Sequence, residues 1–448
     1  MSASQLIGVF VAAAAASMLL TKVIASWFAR LRLLDAPDGS RKLQSYSVPL
    51  GGGLAVSVAV AAVLGTCYGL GWIAPSGETH GFLAGLLPAA AVLLLVGVVD
   101  DFVGLTGIYK LIGQFLAATL LAVGGAHFNS VSVLGHPFEL GDLAIPFAIF
   151  FCLGAINAFN LIDGSDAFAS SVGAIVAFTM GLICFHQGNA AAGVLSIGLS
   201  GALVGFLRYN APPAKIYLGD TGSMLIGLVV AYVSISCSVK GQAVVAIAVP
   251  VALCALPILD AAAALLRRVL TGQSVFAADR GHFHHSLLLR GLSASQAAFV
   301  ASLLTAVTCA GALVSYLTNQ EVWATVSVLG VFVALVAFRV FGHNELGLVL
   351  HHFARRFRAV TKKWAPQTTD DRTHHAIQIQ GSRGWKYLWQ GLCEQATEYD
   401  IHYLRLNINI PHLHEHFYAT WQADPKPTQE EGWAMVYPLT HQGLSVGK

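Results

Sequence analysis

The amino-acid sequence predicts an all-α polytopic membrane protein of about 11 transmembrane helices. Its N-terminus is expected outside and its C-terminus inside, and a small cytosolic α+β domain follows the last span. Three observations carry this expectation. Of 448 residues, 56% are hydrophobic and only 11% charged, with a mean hydropathy of +0.66, whereas a soluble domain carries roughly 25% charged residues. The apolar residues lie in runs long enough to cross ~30 Å of hydrocarbon, which takes about 20 helical residues. The charge is also uneven: residues 1–342 hold 14 of the 25 Lys and Arg and 13 of the 23 Asp and Glu, leaving 11 and 10 for the last 106 residues. The chain therefore divides into a membrane-embedded domain at 1–342, a basic juxtamembrane segment and linker at 343–372, and a cytosolic domain at 373–448. An ordinary cytosolic enzyme, a disordered chain and a nucleic-acid binder with a basic surface are excluded.

In order, the expected spans are 5–28, 51–73, 81–99, 111–126, 143–158, 168–187, 190–207, 222–238, 241–262, 296–317 and 322–341. The first lacks a basic start and its apolar run is long, so it is a retained span and not a cleaved signal. Cytoplasmic loops collect Lys and Arg. One set of loops carries Arg30, Arg32, Arg41, Lys42, Lys110, Arg208, Lys215, Arg267, Arg268, Arg280 and Arg290, and the other only Lys240. The resulting alternation puts every loop dense in Asp, Asn, Gly and His on the cytoplasmic side, so function is expected there. The seven cysteines include no C-x-x-C pair, which indicates neither a disulfide framework nor a cysteine zinc site.

The polar clusters are few. Asp100-Asp101 closes the third span, with Lys110 after it. A solvated helix end would explain one acid there, but two oppose the helix dipole and suggest a cation or a catalytic task. Asn157, Asn160, Asp163 and Asp166 recur every third residue and would form one polar stripe on a helix. Helix capping accounts for one of them, not four. Arg208, Asn210, Lys215 and Tyr217 lead into Gly219-Asp220-Thr-Gly-Ser223 before the eighth span. That last run reads equally as a helix cap and as a phosphate site, and Asp220 suits Mg²⁺. Asp279-Arg280-Gly-His282-Phe-His284-His285 lacks zinc-like spacing and fits a phosphate or sugar better. Arg41-Lys42 and Pro49-Leu-Gly-Gly-Gly53 complete the set. Carboxylates for a divalent metal beside cations for polyphosphate point to phosphoryl-linked group transfer, which needs mainly positioning and charge neutralisation. A membrane location makes one reactant a lipid phosphate.

These motifs, in this order, resemble those of the polyprenyl-phosphate N-acetylhexosamine-1-phosphate transferases, the MraY/WecA superfamily of glycosyltransferase 4 type. The resemblance covers roughly residues 5–341 and rests on Asp35-x-Pro37…Arg41-Lys42…Pro49…Gly51-Gly52, Asp100-Asp101…Lys110, Asn157-x-x-Asn160-x-x-Asp163-Gly-x-Asp166, Gly219-Asp220-Thr-Gly-Ser223 and the histidine motif. Asp-Arg-x-His-x-His-His places the chain with the WecA-like branch. The resemblance implies transfer of N-acetylglucosamine-1-phosphate, or a related N-acetylhexosamine-1-phosphate, from a UDP-sugar to undecaprenyl phosphate. UMP would be released at the cytoplasmic face of a bacterial inner membrane, initiating surface polysaccharide synthesis. It implies Mg²⁺, with Mn²⁺ as an alternative, held by Asp220 with Asn160 and Asp101. Asp100 would be the base or the positioning group for the lipid phosphate. Asp163 and Asp166 would stand near nucleotide and metal, with Asn157 on the same stripe and Asn210 and Tyr217 at the uridine. Lys110, Arg280, His282, His284 and His285 would grip diphosphate and sugar, while Arg41 and Lys42 are substrate-binding candidates without a specific role. The sequence departs from the family at Gln44, usually His, at Ala167-Phe168, usually Gly-Leu, and at Tyr217, usually Phe.

Expected partners are the two substrates and membrane lipid, with no nucleic acid; a homodimer is a candidate assembly. In the tail, Arg355, Arg356, Arg358, Lys362 and Lys363 could meet anionic headgroups. His375–Gln380 and Ile401–Ile410 alternate like strands, and Trp385, Leu388, Trp389, Leu392 and Ala396 form a helical stripe between them. His412, His414 and His416 read as a polar strand face more readily than as a metal site. The alternatives to a transferase are a transporter or flippase for a phosphorylated solute, which would place its site at the bilayer midplane, and an inactive scaffold.

Overall fold

A computed structural model of the chain describes residues 2–35, 47–73, 82–133, 136–240, 247–271, 273–274, 281–343, 345–350, 353, 373–381, 383–399, 401–410, 415–422, 435–441 and 444–447. The expectations for Arg41, Lys42, Gln44, Asp279, Arg280, the basic run from Arg355 to Lys363, His412 and His414 lie outside these residues.

The helices are α1 (Ala3–Arg30), α2 (Gly52–Gly69), α3 (Leu87–Val103), α4 (Gly107–Val123), α5 (Ala144–Ile162), α6 (Phe168–His186), α7 (Ala190–Asn210), α8 (Gly219–Lys240), α9 (Ala248–Leu253), α10 (Ala255–Thr271), α11 (Phe283–Leu289), α12 (Ala294–Thr318) and α13 (Glu321–Ala337). Two short strands, β1 (Leu34–Asp35) and β2 (Val48–Pro49), pair ahead of α2, and a hairpin of β3 (Ser130–Val133) and β4 (His136–Glu139) precedes α5. Among the described residues, eight helices are long and apolar enough to cross a membrane, and the helices at Gly107–Val123 and Glu321–Ala337 are apolar but shorter. The expected span at 241–262 corresponds to two helices, α9 and α10, which part at Cys254.

Helices α6, α7 and α8 are buried for most of their length, whereas α1 and α3 are largely exposed. A helix apolar all round must be buried in protein or in lipid. Leu95 and Phe150 on the periphery are 67% and 73% exposed, and lipid is the environment that suits them. Small residues set the closest contacts, as expected where no hydrophobic driving force separates helix from lipid. Gly201 and Gly205 on α7 leave room for the backbone of α1 at Phe10 and Ala14. The structure also joins Cys184 on α6 to Cys237 on α8 in a disulfide, which the cysteine spacing did not indicate.

The chain falls into two compact units. One comprises Met1–Pro37, Gln44–Ala262 and Ser286–Ala334; the other comprises Asp38–Leu43, Ala263–His285 and Leu335–Lys448. The second unit contains a five-stranded sheet of order β5-β7-β6-β9-β8, with β5 (Thr373–Gln380), β6 (Tyr403–Ile410), β7 (Glu415–Gln422), β8 (Leu439–His441) and β9 (Leu444–Gly447). Helix α14 (Trp385–Glu398) connects β5 to β6 and covers one face, where Trp389, Cys393, Ala396, Leu406, Ile408, Ile410, Phe417 and Trp421 form the core. The strand at 401–410 thus presents its even-numbered apolar residues inward, as alternation requires. Leu388 departs from the expected stripe: it is 48% exposed, and Cys393 takes the inward position instead.

Candidate active site

The site is built where three helix ends meet. Asp100 and Asp101 stand in the last turn of α3, which stops at Gly104 with φ of 73°. Helix α8 begins beside them at Gly219, also left-handed with φ of 73°. A Cβ on Gly219 would lie 2.7 Å from the Asp101 carboxylate oxygens, and one on Gly97 would lie 2.5 Å from Thr221 Cα. These glycines therefore let the two helix ends touch. Helix α2 joins at the same place: Gly52 and Gly53 N–H donate to the carbonyls of Tyr217 (2.9 Å) and Leu218 (2.8 Å), and Tyr217 N–H donates to Pro49 O (3.0 Å). Two of the four N–H groups that a helix start leaves unpaired are satisfied this way.

Asp101 is the cap of another helix: it accepts from Asp220 N–H (2.8 Å), Thr221 N–H (3.4 Å) and the Thr221 hydroxyl (2.6 Å). A carboxylate at the positive end of α8 offsets the penalty it meets at the negative end of α3. Asp100 is buried, accepts from Leu105 N–H at 2.7 Å and pairs with Lys110 Nζ at 2.6 Å. Lys110 Nζ also reaches Asp220 at 2.6 Å. One ammonium thus bridges two carboxylates, and oxygens of Asp100, Asp101 and Asp220 all lie within 4.8 Å of one another.

The stripe expected at 157–166 is corrected in part. Helix α5 ends at Ile162, so only Asn157 and Asn160 lie on it; Asp163 is its C-cap and Asp166 sits in the turn before α6. Gly164 and Ser165 break the helix there, and the two acids point from a turn. Burial, with the carboxylates of Asp220, Asp101 and Asp166 nearby, pushes Asp163 well above the usual carboxylate range. Burial also raises Asp166, although the N–H that Ala214 donates to it at 2.9 Å pulls the other way. Asn160 Nδ2 donates to Ser223 Oγ at 3.1 Å. Asn157 Nδ2 donates to Gln114 Oε1 and to Leu153 O, both at 2.9 Å.

Asn210, expected at the uridine, is buried and engaged within the chain. Its Oδ1 accepts from Ala167 N–H (3.0 Å) and Ser170 Oγ (2.6 Å), and its Nδ2 donates to Ile216 O (3.1 Å). It ties the 163–167 turn to the loop before α8. Tyr217 is half-buried in that loop. His282, His284 and His285 belong to the other compact unit, where His282 and His284 are buried and stack with ring centroids 6.0 Å apart.

Sequence reasoning passed over Gln114 and Ser170. Gln114 is 2% exposed, donates to Met224 Sδ at 3.5 Å, and with Asn157 forms a polar layer one turn deeper than Lys110 and Asp220. Its spacing of four residues from Lys110, in an otherwise apolar helix, was an available signal.

The residues fit a divalent cation. Among the described residues the clustered donors are hard oxygens, and three carboxylates face a single ammonium, leaving negative charge to be balanced. Magnesium takes one or two carboxylates and completes its shell with phosphate oxygens and water.

The family described as Glycosyl transferase family 4 matches residues 83–238, a stretch that contains every carboxylate of this cluster. The chain is 28% identical over 351 residues to the probable undecaprenyl-phosphate N-acetylglucosaminyl 1-phosphate transferase of Bacillus subtilis (strain 168), covering 78% of this chain and 94% of that protein. It is 34% identical over 287 residues to the decaprenyl-phosphate N-acetylglucosaminephosphotransferase of Mycobacterium tuberculosis (strain ATCC 25618 / H37Rv), covering 58% and 71%. The corresponding protein of Mycolicibacterium smegmatis (strain ATCC 700084 / mc(2)155) is 31% identical over 358 residues, covering 71% and 86%.

Proposed function

The chain belongs to glycosyl transferase family 4, the MraY/WecA superfamily, and from this premise we propose how its carboxylate cluster works. The protein is a multi-pass membrane enzyme that transfers N-acetylglucosamine-1-phosphate from UDP-N-acetylglucosamine to a polyprenyl phosphate. The observation that carries the reading of the site is the meeting of Asp100, Asp101 and Asp220 oxygens within 4.8 Å, bridged by Lys110.

Asp220, Asn160 and Asp101 would hold Mg²⁺, which when bound supplies positive charge to the donor diphosphate. Lys110 adds a second cation and, by pairing with Asp100 and Asp220, keeps both carboxylates facing one point. Asp100 orients the lipid phosphate; that phosphate is already largely ionised near neutral pH, so positioning matters more than proton removal. Asp163 and Asp166 line the nucleotide side from their turn. Asn210 acts through that turn, as a positioning residue. Asn157 holds the deeper layer with Gln114. The histidine motif is assigned to the diphosphate and sugar by resemblance, and Tyr217 to the uridine.

We assign undecaprenyl phosphate as the acceptor, about 11 crossings, and a cytoplasmic orientation for the carboxylate end. Eight long apolar helices, two shorter ones and the α9–α10 pair support that count. The disulfide supports the orientation. Helices α6 and α8 both start at the carboxylate end, and Cys184 and Cys237 lie near their opposite ends. Disulfides persist in oxidising compartments, which supports a cytosolic placement for the opposite face.

The test is UMP release by purified protein in detergent with undecaprenyl phosphate, Mg²⁺ and either UDP-GlcNAc or UDP-GalNAc. UMP is expected only when lipid phosphate and metal are both present. Asp220→Asn should lower the rate by about 100-fold or more, the scale of losing one charge-stabilising group. Turnover that persists in EDTA, or in the variant, would remove the metal role assigned to the cluster.

A further inference from the structure

The C-terminal sheet shields one face with α14 and buries part of the other against the end of α10. Leu270 packs with Leu348, Tyr418 and Ile377. Beside them, Asn407 Nδ2 donates to Thr271 O at 2.9 Å, Gln273 Nε2 donates to His416 Nε2 at 3.0 Å, and Asn409 Nδ2 donates to Gln273 Oε1 at 3.1 Å. Asn407 and His416 are each 3% exposed. Asn409 and His416 are cross-strand partners, so β6 and β7 present one continuous polar patch to Thr271 and Gln273. Buried amides and imidazoles are costly unless paired. A patch whose groups are paired with one short segment specifies a single docking arrangement rather than a loose tether.

The same unit holds the second end of that segment. Arg267, one turn before Thr271, is buried and ion-paired with Glu345. Gly281, the residue before His282, lies against its guanidinium: a Cβ there would stand 2.5 Å from Arg267 Cζ. Phe283 meets Phe341 edge-on with centroids 5.8 Å apart. The sheet therefore grips Thr271 and Gln273, and the Arg267–Glu345 pair and Phe341 grip residues 281–283.

We propose that the C-terminal domain is a clamp that positions the histidine motif for the sugar-nucleotide donor. This rests on the reading above that His282, His284 and His285 contact the donor. Asn407, Asn409, His416, Arg267 and Glu345 are positioning residues in this scheme and touch no substrate.

The experiment uses the full-length protein. Asn407→Leu removes the tail's contact to Thr271; Gln273→Ala breaks the same patch without altering the domain's own sequence; Gly281→Ala disturbs the other grip. Each should raise the KM for UDP-N-acetylglucosamine by about tenfold or more, as small misplacements of binding groups do, while the KM for undecaprenyl phosphate stays unchanged. Amide exchange over residues 281–289 should accelerate in the same variants. His282→Ala is the separate arm. If it raises the donor KM while Gln273→Ala and Gly281→Ala leave both KM and exchange unchanged, the clamp is overturned and the histidine assignment stands. If His282→Ala leaves donor kinetics unchanged, the histidine assignment falls and takes the purpose of the clamp with it, whatever the exchange reports.

Discussion

Asp163 shows how one half-buried acid links ionisation, metal and stability. Its folded pKa lies above the roughly 3.9 of a free aspartate, so the native state binds more protons than the unfolded chain. Stability then falls as pH rises from the unfolded pKa through the folded one, and the full penalty remains above it. A divalent cation favours the ionised form and should reverse this. In EDTA, the melting temperature is expected to drop as pH rises above the roughly 3.9 of a free aspartate, and Mg²⁺ or Asp163→Asn should flatten the slope. Equal slopes for wild type and variant in EDTA would sink the assignment. Ala167 supplies a second test. It caps α6 with φ of 61°, a left-handed conformation that glycine adopts without cost. Relief of that strain outweighs the added freedom of the unfolded chain, so Ala167→Gly should be neutral or stabilise by up to about 1 kcal/mol, read as a shift in thermal midpoint. A loss of more than that would mean the φ is held at no cost.

At the scale of elements, α8 is the piece on which the site is assembled. Its first turn is capped by Asp101 from α3, faced by Lys110 from α4 and Asn160 from α5, and touched by the start of α2. This convergence explains the glycines at 53, 97, 219 and 222 better than any ligand contact does. A Cβ on Gly53 would run into the backbone of Gly222, and neither partner is a flexible side chain that could move aside. Gly53→Ala is therefore expected to destabilise the protein by roughly 1–3 kcal/mol and to lower activity with it, because α2 must shift away from α8. A variant with unchanged melting and unchanged turnover would contradict that packing. The Gln114–Asn157 layer sits one turn below and holds α4 against α5 inside the bilayer, where an unpaired amide would be costly.

The whole molecule pairs a reactive end with a stapled one. Cys184 and Cys237 are 53 residues apart in sequence and join the two helices that begin at the Asp166 and Asp220 turns. Closing a loop of that size typically contributes roughly 2–4 kcal/mol. Cys184→Ser, or treatment with a reductant, should lower the thermal midpoint accordingly while leaving the Mg²⁺ requirement intact. Alkylation of both cysteines without prior reduction would show that the bond does not form. At this scale the C-terminal domain ceases to be an appendage. The compact unit that contains its sheet also contains Ala263–His285, and the polar face of β6 that alternation alone would leave in water is buried against the end of α10.

Hydropathy and the order of the motifs determined the helical membrane fold and the reaction class, and they singled out Asp100, Asp101 and Asp220, which the structure brings together. These follow from local quantities: runs of apolar residues must match the bilayer, and acids in an apolar chain need a reason to be there. The strands and helix at the start of the tail were equally readable from their alternation and stripe. What only tertiary structure decided was how groups distant in sequence share their bonds. Asp101 caps a helix that begins 118 residues later, at Gly219. Asn210 spends its amide on Ala167, Ser170 and Ile216, and Asp163 and Asp166 leave the helix on which their spacing would have put them. Spacing along a chain reports which face of one element a residue occupies, whereas hydrogen bonds and charge pairs depend on which elements pack together.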